Sequence, residues 1–256
     1  MKNIPLFLLG LVMVCINNSC TKTVVNGTQV PSLPSINSDN NKVVGGSAKD
    51  LLATNIYTSI KIEIQYMPGY APDATSLNNL ISFLNNLSNK SGSITVVQTP
   101  IAASGKTVLS INDIASIEKN NRTAYTTGSQ LGLNFLYVDA AYTETNVLGL
   151  AYRNTSVCII GKTIHDNSGG VGQVSRTKLE TNVLEHEVGH LLGLVDLGSA
   201  MQTNHKDATH GNHCTNTNCL MYYTSETTDA LGFLLTGSTP VLDADCHSDL
   251  HANGGK

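Results

Sequence analysis

Glu185 to Asp196 reads EHEVGHLLGLVD. On a helix, residues four apart stand nearly above one another, so His186 and His190 project from one face with Glu187 beside them. Two imidazoles at that spacing can share one zinc ion. Leu184, Val188, Leu191 and Leu192 lie roughly opposite, so the helix can bury one face while presenting the histidines to a cleft. Thr177 and Glu180 have the form of a capping box, and Lys178 to Leu192 contains no proline and no glycine other than Gly189. A helix is therefore predicted from near Thr177. Gly193 can take the left-handed conformation that ends a helix, turning the chain so that Asp196 swings back as a third metal ligand.

HEVGHLLGLVD resembles the HExxHxxGxxH/D signature of the metzincin clan of zinc metallopeptidases, with aspartate in place of the more usual third histidine, as in its snapalysin-like members. The resemblance implies an α+β fold: a twisted mixed β-sheet with helices, an active-site helix bearing HExxH, and a smaller irregular C-terminal subdomain with a methionine turn beneath the zinc. Met221, in the stretch Cys219-Leu220-Met221-Tyr222-Tyr223, is the candidate for that turn. By the same resemblance Tyr223 would stabilise the oxyanion of the transition state. His205, His210 and His213 are the other residues that could take the third place at the zinc, and the signature ranks Asp196 ahead of them.

The implied activity is that of a zinc-dependent endopeptidase acting on a peptide or protein substrate. Three protein ligands leave a position open for water, whose pKa the ion lowers, and Glu187 is placed to act as general base. The alternative from another class is an exported lipoprotein that binds a surface ligand and uses zinc only as a structural clamp. A closed fourth coordination position would favour it. Against it stands Glu187, for which a structural zinc has no need.

Downstream, Leu197 to Cys219 holds His205, His210, His213 and Cys214 among glycines and asparagines with almost no apolar periodicity, so something other than a core must order it. Cys214 and Cys219 could close a small disulfide loop ahead of Met221, as exported proteins favour. They could instead belong to a second, structural zinc site. Cys214-x4-Cys219-x-Met221 resembles the CxxxxCxM segment of archaemetzincins, whose cysteines bind such a zinc together with a later CxxC pair. Here Cys246 is followed at the matching place by Asp249, so His247, His251 or a loop histidine would have to complete the set. Cys158 lies in an apolar stretch and reads as a small buried hydrophobe.

Residues 1–20 read as an export signal: Lys2, an apolar run from Ile4 to Val14 too short to span a bilayer comfortably, then Asn17, Asn18 and Ser19. Ser19-Cys20 resembles the end of a bacterial lipobox, which implies lipidation at Cys20 and anchoring to a membrane of the cell envelope. A plain secretory signal is the alternative. Residues 21–50, rich in Thr, Ser, Asn, Pro and Gly, read as a flexible tether. Residues 51–256 then form the catalytic domain, with an upper subdomain over 51–193 and a lower one over 194–256.

The whole chain of 256 residues is 41% hydrophobic and 13% charged, with a formal net charge of -4. It has no basic cluster of the kind phosphate binding needs, which argues against a nucleic-acid partner. Strict alternation predicts a strand over Ile60–Tyr66, and apolar spacing predicts helices over 76–87 and 110–121. Further strands are expected at 93–98, 131–141, 147–152 and 156–164, and a short terminal helix over 246–253. By resemblance, the strand nearest the cleft is a sheet edge that receives an extended peptide through main-chain hydrogen bonds. Either 147–152 or 156–164 could be that edge.

Overall fold

The computed structural model describes residues 33–256, so the export signal, Cys20 and the first part of the tether lie outside the described residues. Alternating Ile60, Ile62 and Ile64 build β1 (Ser59–Tyr66), the second strand of a five-stranded sheet. The others are β2 (Ile94–Pro100), β4 (Gln130–Tyr137), β6 (Gly149–Arg153) and β7 (Ser156–Ile159), ordered β2-β1-β4-β7-β6. β2, β1, β4 and β7 run parallel, and β6 is antiparallel to β7. The edge nearest the cleft is therefore β6. A two-stranded ladder of β3 (Val108–Leu109) and β5 (Ala141–Tyr142) stands apart.

Helices cover both faces, as a mostly parallel sheet requires. α2 (Ala74–Leu87) starts at Asp73, whose carboxylate accepts from Ser76 N, and buries Leu77, Leu80, Leu84 and Leu87 against Ile60, Ile62, Leu133 and Phe135. α3 (Ile111–Asn121) begins with a capping box of Ser110 and Asp113 and packs Ile114 and Ala115 on the other face, beside Leu136 and Cys158. α5 (Arg176–Leu191) carries the zinc-ligand candidates and lies in the first of these cores. The short helices α1 (Ala48–Leu52), α4 (Gly161–Asp166), α6 (Ala230–Thr236) and α7 (Ala244–Ala252) complete the fold. No helix among the described residues is long and apolar enough to cross a membrane.

Three expectations need correction. The cap of α5 is Ser175, whose hydroxyl accepts from Lys178 N, rather than Thr177. Glu180 turns inward instead and accepts from Asp73 N and the Tyr137 hydroxyl. The strand expected over 156–164 stops at Ile159, and Gly161 opens α4: a Cβ at Gly161 would meet Val138 O at 2.9 Å. Residues 33–50 are no free tether. Asn40 is fully buried, its amide bonding Gly132 O at 2.9 Å and Thr155 Oγ1 at 2.9 Å while its oxygen accepts from Thr126 N. α1 begins at Ala48 and sends Leu51 and Leu52 into the core.

The N-terminal segment is fastened to the sheet edge by a buried ion cluster. Glu118 accepts from Arg122 at 2.7 Å and Ser156 at 2.6 Å and pairs with Arg153, all three charged side chains being fully buried. Arg153 also donates to Asn41 and to the Pro34 carbonyl. Removing the one anion would strand two guanidinium groups inside the protein. Glu118→Ala is predicted to cost about 3–5 kcal/mol of stability, read from urea unfolding of the purified variant.

Candidate metal centre

α5 is buried almost all round, and several polar side chains on it are met by particular neighbours. Asn79 donates to Thr181, and Asn182 donates to Ser225 O at 2.9 Å. His186 Nδ1 lies 2.7 Å from Leu220 O; since a carbonyl only accepts, Nδ1 carries the proton and Nε2 is left with its lone pair. That Nε2 faces His190 Nε2 at 3.1 Å. Such pre-orientation of one ring nitrogen by a bond to the other is what metal-binding histidines require.

The third group beside His186 and His190 is the His213 imidazole, not the Asp196 carboxylate. Gly193 takes φ +77°, as expected for a helix stop, but Val195 and Asp196 also take left-handed values of +53° and +67°. This turn carries the Asp196 side chain outward, 59% exposed, where it pairs with Lys206 at 3.1 Å. The following loop comes back to the cleft at His213, whose Nδ1 donates to His210 O and whose ring stacks on His186 with centroids 5.3 Å apart. A fourth group, Glu226, was not foreseen. Its carboxylate lies 3.6 Å from His186 Nε2, 3.9 Å from His190 Nε2 and 3.4 Å from His213 Nε2. One ligand atom from each of the four falls within 4.8 Å of all the others.

The donor chemistry fits a divalent cation. His213 Nε2, His190 Nδ1 and Glu187 Oε1 are buried without a hydrogen-bond partner, a costly arrangement. Burial, and then His186 beside it, push the His190 pKa well below its ordinary value, so this imidazole is a neutral donor. Burial opposes ionisation of Glu226, but His186 and His213 outweigh it and hold the carboxyl far below the usual range. Three imidazole nitrogens and a carboxylate oxygen are ligands that zinc accepts.

Glu187 lines the same cleft, a space of about 250 Å³ shared with His190, His213, Glu226, Ala151, Asn212 and the apolar Val44, Leu150 and Leu197. Its Oε2 accepts from Ala151 N on β6 at 2.6 Å. Burial first, and Glu226 second, raise its pKa well above the ordinary carboxylate value, and a bound cation would act in the opposite sense. Gly149 makes room for it, since a Cβ there would stand 3.2 Å from Glu187 Cγ. Met221 is fully buried under α5: a Cβ at Gly189 would come within 2.3 Å of its Sδ, so only glycine lets the turn rise this close. Tyr223 stacks on His210 with ring centroids 3.6 Å apart and is not among the residues lining the cleft.

A second cluster forms from the residues read as a disulfide or a metal site. The four described cysteines are all free, and Cys219 Sγ lies 3.6 Å from Cys246 Sγ. Cys214 Sγ lies 3.3 Å from His205 Nδ1, and His205 Nε2 is 2.8 Å from Asp249. Asp243 accepts from Cys214 at 3.3 Å, and His205, Cys214, Asp243 and Cys246 offer atoms within 4.8 Å of one another. Hydrogen bonds from Cys214 and Cys246 draw the Cys219 thiol down to about 4 while that of Cys246 is pushed up, so the trio shares its protons unequally. Cys158 is buried in the apolar layer beneath α3, away from this cluster.

No curated protein matches the chain. Among solved structures, the crystal structure of archaemetzincin from Methanopyrus kandleri aligns at 14% identity with a TM-score of 0.48, covering 77% of this chain and 96% of that one. Residues 61–233 match the Reprolysin_5 family model, described as metallo-peptidase family M12. That span holds α5, His213, Met221 and Glu226, and it takes in more than half of the sequence: the chain belongs to metallo-peptidase family M12, a family of zinc-dependent peptidases.

Proposed function

We propose that the protein is a zinc-dependent endopeptidase in which His186, His190 and His213 hold the metal and Glu187 is the general base. The observation that carries this reading is the convergence of three imidazoles and a buried, partly unpartnered glutamate on one cleft. When bound, zinc supplies a Lewis acid that lowers the pKa of water and polarises a carbonyl. Glu187, steadied by Ala151 N, takes the proton of the attacking water and returns it to the leaving amine. The edge of β6 offers main-chain groups to an extended peptide. Val44, Leu150 and Leu197 receive its apolar side chains.

His205, Cys214, Cys246 and Asp243, whose ligand atoms converge, suit a second, structural zinc, with Cys219 beside Cys246 and Asp249 orienting His205. This would order the loop that delivers His213. The sequence before the described residues supports export and lipid anchoring at Cys20, with the peptidase working at a membrane surface of the cell envelope.

One observation favours the structural-clamp reading, namely that Glu226 brings a fourth protein donor. A buried glutamate next in sequence to the first ligand, aimed into the cleft, favours catalysis.

Hydrolysis of a pooled peptide library by the purified protein should stop on treatment with a chelator and return with added zinc. Glu187→Gln should keep its zinc and lose at least about 100-fold in kcat/KM, and activity equal to the parent would refute the assignment. Metal analysis of two further variants separates the candidate ligands. His213→Ala should lose catalytic zinc, whereas Asp196→Asn should retain both zinc and activity. For the second site, Cys246→Ser should bind one zinc fewer per chain and melt at a lower temperature, measured by elemental analysis and thermal unfolding.

A further inference from the structure

Glu226 ends a short 3-10 turn, Tyr223–Glu226, that follows Met221. The backbone of that segment is laid on the sheet. Leu148 N donates to Glu226 O at 2.8 Å, Thr228 N donates to Asn146 O at 2.9 Å, and Val147 and Thr227 form an antiparallel bridge. The strand flank they occupy runs directly into β6, the free edge of the sheet. Residues 226–228 thus lie beside residues 146–148, just ahead of β6, in the manner of an added strand. The same segment aims the Glu226 carboxylate at all three histidines.

We propose that Glu226 is a displaceable fourth ligand, by which the chain closes its own metal centre until a peptide takes the edge and draws the segment away. The proposal rests on the peptidase reading. Three imidazoles and one carboxylate fill a tetrahedral set, leaving no place for the water that hydrolysis needs. The four donors are not held alike. The histidine side chains are only 0%, 8% and 11% exposed, and two of them are fixed by backbone carbonyls. Glu226 is 27% exposed and rests on a short piece of chain pinned by two bonds to the sheet edge and one from Asn182. Of the four, it is the ligand that local movement can release with the loss of a single bond to α5, the one from Asn182.

The test uses full-length protein loaded with cobalt or zinc, comparing the parent with Glu226→Gln and Glu226→Ala. The amide variant keeps the shape of the side chain and guards against misfolding, which circular dichroism monitors in both. The parent's cobalt absorption bands should be insensitive to millimolar acetate, and those of Glu226→Ala should shift as acetate enters the vacated position. Zinc affinity should fall by about tenfold or more in both variants, and peptide hydrolysis at saturating zinc should rise. A parent spectrum that responds to acetate like the variant's, or unchanged zinc affinity, would overturn the proposal. So would loss of hydrolysis in variants that still bind zinc, which would make Glu226 a catalytic residue. If affinity and spectra change as expected but neither parent nor variants cleave any peptide, Glu226 stands as a ligand and the peptidase reading fails.

Discussion

A helix with polar side chains on most of its faces has been put in the middle of the protein, and each of those groups must be satisfied there. Burying an unpaired polar group costs on the order of 1–3 kcal/mol, so the surroundings of α5 are set by what its side chains demand. Glu180 takes Asp73 N and Tyr137, Thr181 takes Asn79, Asn182 takes Ser225 O, His186 takes Leu220 O and Glu187 takes Ala151 N. These partners come from the sheet, from α2, from the methionine turn and from the Tyr223–Glu226 turn. The helix is therefore the point at which separate stretches of chain are brought into register, and at the histidine cluster His190 Nδ1 and Glu187 Oε1 are left without partners.

Much of this was legible in local sequence. Alternating isoleucines gave β1, apolar spacing gave α3, and His186, Glu187 and His190 were placed by helix spacing. Met221 was recognisable only through the resemblance to a methionine turn, and its close approach to Gly189 emerged from the structure. What failed was whatever depended on the path of the chain beyond a turn. Asp196 stands at the expected spacing, but three left-handed residues, Gly193, Val195 and Asp196 itself, point it into solvent. Spacing fixes how far along the chain a ligand lies, and it does not fix the direction in which the chain leaves the helix. His213 was visible only as one loop histidine among several, and Glu226 carried no signal beyond being acidic.

The N-terminal segment shows a different kind of illegibility. Its composition is that of a solvated linker, and apolar burial would never order it. It is ordered instead by asparagine amides that serve the backbone of other segments: Asn40 reaches the start of β4, and Asn154 reaches Asp39 O and Lys42 N. A polar side chain counts as a linker residue or as a core residue according to whether its partners are water or protein, and the sequence does not display its partners. The loop from 197 to 219 is similar, with a histidine and cysteines gathered where a hydrophobic cluster would otherwise be expected.

Arg153 terminates the cleft-edge strand β6 and is gripped by Glu118, Asn41 and the Pro34 carbonyl. The stiffness of the cleft edge is thus borrowed from a part of the chain that holds none of the clustered histidines. A fragment trimmed to begin at α1 would retain every histidine of the centre and still have a buried arginine missing two of these three partners, with an edge free to fray. Where this protein can be cut is decided by the hydrogen bonds of its leading segment, well upstream of the first regular helix.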